Sequence, residues 1–199
     1  TYTHTVSTAD DSASGTLTVQ DQPTQPGQGE INLNIEPSET AVEAGTDQTY
    51  DLVVDGPTDG ISAYNNVTIN VADASVGEIT SFVEYAEGPN GPLSTSEIQN
   101  NGSTLLLNAA LLDANYSAAP EITVASFNVT AVGSAGQSTA IAFNRSARQA
   151  FLNGTDLRYT VNAFSDATLT VEETSPTNFA VSNLTLGSST VLDGTTGTV

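Results

Sequence analysis

A chain of 199 residues is long enough to bury one full hydrophobic core, with stretches left over for parts of another domain. It carries 23 acidic residues against 3 basic ones, all arginine, for a formal charge of -20. Nucleic acid and anionic membrane surfaces are therefore poor partners, because no basic patch exists to displace their counterions. Cysteine is absent, so no disulfide can form and the fold must rest on its core.

The first stretch, Thr1 to Gln20, reads as a β-hairpin: Tyr2, His4 and Val6 alternate, Asp10-Asp11 turns, and Leu17 and Val19 resume the pattern. Two strands do not make an independent domain. Residues 21–29, DQPTQPGQG, have the composition of a linker. Ile31, Leu33 and Ile35 then open the main domain, and Pro37 with Glu39 closes that strand. Gly45 to Val71 reads as two strands joined by a tight acidic turn. Tyr50, Leu52 and Val54 share one parity, and Ile61, Ala63, Val67, Ile69 and Val71 share another. Asp55-Gly56-Pro57 and Asp59-Gly60 supply the turn.

Ile79 to Tyr85 is the next strand. Glu87 to Gly102 is a long polar loop with a short helical turn expected at Thr95 to Gln99. Leu105, Leu107, Ala109 and Leu111 alternate, and their apolar flanks place that strand near the centre of a sheet. Ile122 and Val124 switch parity to Phe127, Val129 and Ala131, the sequence signature of a β-bulge. Ile141 and Phe143 mark a short strand. Leu157, Tyr159 and Val161 with Ala167, Leu169 and Val171 read as the closing pair. Thr174-Ser175-Pro176 breaks the pattern, and Phe179 to Val199 starts fresh strands. No long window shows a helical period, so the chain is all-β.

Self-repulsion at this charge density destabilises a compact state in dilute salt. At 1 M salt the Debye length is about 3 Å and most of that penalty disappears. A lysine-free acidic surface thus points to a protein that lives in brine, whereas an ordinary acidic secreted protein would more often keep some lysine. Seven Asn-x-Ser/Thr sequons occur, at Asn66, Asn101, Asn115, Asn128, Asn144, Asn153 and Asn183. A Ser/Thr-rich chain yields several by chance, and the mild excess favours a glycosylated surface protein. No apolar run reaches transmembrane length, and a start at Thr1 without methionine or signal sequence suggests a mature or excised piece.

The block Ile35 to Val171 is similar to cohesin-like domains. The likeness lies in IEPSETAVEAGTDQTYDLVVDGPTDGISAYNNVTINV, the alternating strand Leu105 to Leu111, ITVASFNVTAVGSAGQSTAIAF and LNGTDLRYTVNAFSDATLTV. It implies an antiparallel β-sandwich of jelly-roll type that binds other protein modules, with one sheet face as the docking surface. The ends resemble another family. PTNFAVSNLTLGSSTVLDGTTGTV looks like the first strands of a CARDB domain, an immunoglobulin-like cell-adhesion module, and TYTHTVSTADDSASGTLTVQ looks like its last hairpin. The central strands of that module are missing. The organisation expected is a partial immunoglobulin-like hairpin at 1–20, a linker at 21–29, a cohesin-like sandwich at 30–173 and further partial strands at 174–199.

Chemistry is sparse. His4 is the only histidine and lacks a nucleophile or second ligand nearby, which argues against triad or zinc chemistry. A carboxylate pair for glycosidic chemistry is possible in any acid-rich chain, but salt adaptation already explains the acids. Asp55, Asp59, Asp73 and Glu78 lie in or near turns, where calcium prefers its oxygen ligands. The D-x-D-x-D-G spacing is absent, so solvated turns with weak hydrated-cation binding are the plainer reading. Arg145, Arg148 and Arg158 cluster; they either grip an acidic partner or pair with acids of their own domain. Tyr64, Phe82, Tyr85 and Tyr116 are expected in the core or at its edge.

The first functional reading is a structural, non-enzymatic component of an extracellular haloarchaeal surface assembly. Its end-to-end contacts, with possible strand exchange, would use Tyr2, His4, Val6, Leu17, Val19, Phe179, Val181 and Leu184. Its partners would be copies of itself or adjacent domains of the same surface protein. The alternative is a cohesin-like module that captures a dockerin-like partner. A carbohydrate-binding sandwich is weaker, because tryptophan, the usual sugar-stacking platform, is absent.

Overall fold

A computed structural model describes residues 2–7, 12–17, 29–85, 92–111 and 116–173, the first two stretches as backbone alone. Strand β1 (Tyr2–Ser7) pairs antiparallel with β2 (Ser12–Leu17), Tyr2 opposite Leu17 and His4 opposite Gly15. This is the hairpin that the alternation predicts, and it forms a two-stranded sheet of its own.

The main body begins with β3 (Glu30–Glu36), whose Ile31, Leu33 and Ile35 are buried while Glu30 and Glu36 are exposed. β4 (Glu39–Glu43), β5 (Asp47–Asp55), β6 (Ala63–Val71) and β7 (Gly77–Glu84) follow. Then come the short β8 (Leu93–Ser94) and β9 (Glu97–Gln99), and β10 (Thr104–Ala110). β11 (Glu121–Ala131), β12 (Ser138–Phe143), β13 (Ala150–Leu152), β14 (Thr160–Ser165) and β15 (Ala167–Glu172) complete the described chain. One sheet has five strands in the order β14-β3-β5-β11-β7. The larger runs β4-β15-β12-β6-β10-β8, with β13 paired to β6 and β9 to β10.

Two strands are shared between the sheets. Pro37, which cannot donate to a ladder, separates β3 from β4, and Asp166 separates β14 from β15. Each half joins a different sheet, and the halves run parallel to each other in both, β14 with β3 and β15 with β4. All other pairings are antiparallel. Both crossings lie on the same side of the sandwich, where β14 ends one sheet and β4 the other.

Several expectations change. Gly45 to Val71 is not a hairpin: β5 lies in the five-stranded sheet and β6 in the larger one. Stacked sheets lie about 10 Å apart, and residues 56–62 carry the chain across that gap. The closing pair is likewise the two halves of one shared strand. Parity in β6 switches at Asn66, which has φ 56° and is the extra residue of a bulge, so Tyr64 rather than Ala63 is buried. The helical turn expected at Thr95 to Gln99 is instead strand β9 with its approach, because Ile98 pairs opposite Leu105 and packs on the core. Pro37 does end the first strand, but Glu39 opens the next. The bulge expected after Val124 is present: the register shifts between Thr123 and Ala125, with Val124 and Ala125 both buried.

The two inner faces meet in one core. Tyr50 stacks on Phe127 with ring centroids 5.7 Å apart, and Tyr64 lies 5.9 Å from Phe151. Each buried tyrosine sends its hydroxyl to a partner, as burial requires. Tyr64 donates to Glu84 at 2.8 Å, and Tyr159 donates to the Gly60 carbonyl at 2.9 Å while accepting from the Asp59 N–H at 2.9 Å. Gly60 has φ 70°, and a Cβ there would stand 2.0 Å from the Tyr116 carbonyl oxygen, so this crossing admits only glycine.

Candidate docking faces

Each sheet turns one face outward, and the sequences of the central strands set the charge of those faces. In the five-stranded sheet, β3 reads EINLNIE, β5 reads DQTYDLVVD and β11 begins with Glu121. Alternation sends the acids out. Asp47, Asp51 and Asp55 form a stripe along β5, with Glu36 paired opposite Asp51 and Glu121 opposite Asp55. Like charges directly opposite each other repel. A ladder of polar contacts covers the same face. Asn34 donates to Asp55 at 2.7 Å, Thr49 to Asn128 at 2.8 Å and Asn128 to Ser81 at 3.0 Å, while Ser126 bonds Asp51 and Thr130 bonds Asp47.

The larger sheet is different. β6 reads AYNNVTINV, β10 TLLLNAA and β12 STAIAF, without a single charged residue. Outward go Thr68 and Asn70 from β6, Leu106 and Asn108 from β10, and Ala140 and Ala142 from β12. Carboxylates return only at the margins, with Glu39 on β4, Glu172 on β15 and Glu97 on β9. At one end a groove of about 330 Å³ is lined by Ala63, Asn65, Leu93, Asn108 and Leu152 among others, none charged. Leu93 is 62 % exposed there. Tyr64, below this groove, bonds Glu84, which also accepts from Ser94 and from Ser96 at 2.7 Å and so holds β8 in place. Burial, with the Glu84 charge second, keeps the Tyr64 phenol protonated well above its usual range.

This sandwich has solved counterparts. A type I cohesin from Clostridium thermocellum, in complex with its dockerin, superposes with a TM-score of 0.59 at 14% identity, over 77% of this chain and 100% of that one. The sixth cohesin of Acetivibrio cellulolyticus scaffoldin B, also in complex with a dockerin, gives 0.58 at 15% identity over 72% and 99%. A non-cellulosomal cohesin from the hyperthermophilic archaeon Archaeoglobus fulgidus gives 0.54 at 10% identity over 72% and 91%. The fold is cohesin-like. No family model and no curated protein matches the sequence.

The residues singled out in the sequence do not converge on one site. Arg145 pairs with Asp166 at 2.7 Å and lies 5.8 Å from the Phe164 ring centroid. Arg158 donates to the Gln149 carbonyl at 2.6 Å, and Arg148 shares a groove with it. The four acidic turn candidates do not gather into a metal-holding group. Asp73 accepts from the Ser75 hydroxyl at 2.6 Å and its N–H at 2.9 Å, which hold its carboxyl below the usual range. Asp55 is taken by Asn34. Among the described residues no group of three or more His, Asp or Glu is placed to hold a metal.

Of the sequons, Asn101 is exposed in a turn, while Asn66, Asn128 and Asn144 are half-buried. Asn153 is 1% exposed, which leaves its amide nitrogen no room for a glycan in the folded chain, and its Oδ1 accepts from the Thr155 and Leu157 N–H groups. Asn115, Asn183, Val19, Phe179, Val181 and Leu184 lie outside the described residues. Tyr2, His4, Val6 and Leu17 fall on β1 and β2, where only the backbone is described. Of the aromatics, Tyr64 and Tyr116 are buried and Phe82 packs on the core, but Tyr85 is exposed and bonds Ser126 at 3.0 Å. Sequence reasoning missed the uncharged face. Its signal was present as three strands without an acid, but which strands adjoin was not.

Proposed function

We propose that the protein is a non-enzymatic binding module that docks a dockerin-like protein partner on the uncharged face of β12, β6 and β10. One observation carries this reading: in a chain of charge -20, these neighbouring strands carry no charge. Protein interfaces deplete charge at their centre and keep polar groups at the rim, as this face does. The solved cohesins of similar fold are seen in complex with dockerins. The acids elsewhere keep copies of the chain apart and the fold soluble in brine, which fits an extracellular haloarchaeal setting.

Calorimetric titration of the full chain in molar salt, with the dockerins of those complexes, tests the reading. Ala140→Asp or Leu106→Asp should weaken binding by at least about tenfold, since each places an unpaired charge in the contact. Asp51→Asn on the other face should leave it unchanged. Unaltered binding by both face variants overturns the assignment of the face, and failure of every dockerin to bind overturns the partner class.

A second reading, an end-to-end surface assembly of copies or tandem domains, is favoured by one observation. β1 and β2 pair with each other and with no other described strand. A lone hairpin is marginal and leaves two edges open to another chain. Polymers formed in molar salt by residues 1–199, but not by residues 29–174, would support it; two monomers would remove it.

A further inference from the structure

We infer that the open edge of β14, flanked by Arg148 and Arg158, takes up an extended acidic segment of a partner polypeptide as an added strand. The inference is independent of the docking face above, since β14 belongs to the other sheet.

Three observations meet at this edge. First, β14 ends the five-stranded sheet, with Thr160, Asn162, Ala163 and Ser165 exposed along it. Such a strand presents N–H and C=O groups to another chain. Second, every basic residue of the protein lies between positions 145 and 158, in a chain with 23 acids. Arg148 and Arg158 line a groove of about 360 Å³ whose wall continues into Thr160, Val161 and Phe164. Arg145 is already occupied by Asp166. Arg158 spends one nitrogen on the Gln149 carbonyl, and Arg148, exposed, has no partner among the described residues. Third, Gln149 in the same wall is 6% exposed, and its Oε1 has no hydrogen-bond donor among the described residues. A buried acceptor without a donor is rare and calls for one.

An acidic strand answers the first two, and the third marks the same wall as locally short of a donor. Its backbone groups complement the edge, and its carboxylates complement guanidinium forks that bind them bidentately. On the five-stranded face an acidic chain meets repulsion, and the uncharged face offers it no cation, so the edge is selective by contrast. At molar salt only contact pairs survive screening, which favours close forks over a diffuse basic field.

The test uses the full chain and a fluorescein-labelled short peptide of alternating Glu and Thr, followed by anisotropy in molar KCl. Arg148→Gln should weaken binding about tenfold, the loss of one charge-assisted contact, and Arg158→Gln should weaken it too. Because Arg148 is exposed and makes no hydrogen bond or ion pair among the described residues, its variant should keep the parental melting temperature, which separates binding from folding. The Gln-Thr peptide and an N-methylated Glu-Thr peptide should both bind at least about tenfold more weakly. Unchanged affinity in Arg148→Gln, equal binding of the N-methylated peptide, or equal competition by free glutamate each overturns the inference. Ala140→Asp should leave peptide binding intact, so failure here and failure of the docking face remain distinguishable.

Discussion

The two outer faces of this sandwich are built on the same core, yet one is acidic and the other uncharged. The five-stranded face sets Glu36 against Asp51 and Glu121 against Asp55, like charges in direct register. The larger sheet has no charge on its three central strands. Charge here is placed, not spread evenly. A face that pairs acids costs stability where salt does not screen them, and in dilute salt it repels an acidic surface. A face without acids can be covered by a partner without desolvating a carboxylate of its own.

The largest effect should show that the contrast is confined to the surface. Leu52→Ala beneath the acidic face and Leu105→Ala beneath the uncharged one remove side chains that are 0% exposed. Each should cost about 2–5 kcal/mol in denaturant unfolding, because both lie in the same core. A large loss in one and none in the other would mean two separately stabilised layers.

Next comes alkali, which reaches the tyrosines under both faces. Burial raises the phenol pKa of Tyr50 and Tyr159 as well as that of Tyr64. A group with a raised native pKa contributes stability fully present below its unfolded value, near 10, and loses it as pH rises through the native value. Stability should therefore fall above about pH 10, with the phenolate absorbance of these three buried rings, isolated by difference from a Tyr50→Phe, Tyr64→Phe or Tyr159→Phe variant, appearing together with unfolding. Their phenolate absorbance in a still-folded chain would show that the buried rings are accessible to titration.

Salt separates the faces most cleanly. Asp51→Asn with Asp55→Asn removes one partner from each opposed pair but keeps acceptors for Ser126 and Asn34. The variant should gain about 0.5–1 kcal/mol in dilute salt and almost nothing at molar salt, where the Debye length is about 3 Å. Equal gains at both salt concentrations would refute charge repulsion as the cause. The smallest effect should come from Asp73→Asn, on neither face. Its Ser75 bonds lower the carboxyl pKa, so the stability it adds is present above the unfolded value and lost as pH falls through the native one. Acid titration of the variant should be marginally flatter.

Much was legible in the sequence because strand alternation is a local signal. The buried sets Ile31-Leu33-Ile35, Tyr50-Leu52-Val54 and Leu105-Leu107 follow from parity alone. So does the bulge after Val124, which needs only a change of phase within one strand. The all-β class, the terminal hairpin and the acidic character were fixed at the same level. Pairing is not local. The turn chemistry of Asp55 to Gly60 is equally suited to a hairpin and to a crossing between sheets, and only packing of Tyr159 and Tyr116 around Gly60 decides for the crossing. Asn153 satisfies a sequon by its neighbours in sequence, but its burial depends on the whole fold. Tertiary structure alone brings three uncharged strands side by side and leaves Arg148 and Arg158 beside an open edge. Sequence order specifies which side chain alternates with which, whereas adjacency across a sheet is set by contacts distant along the chain.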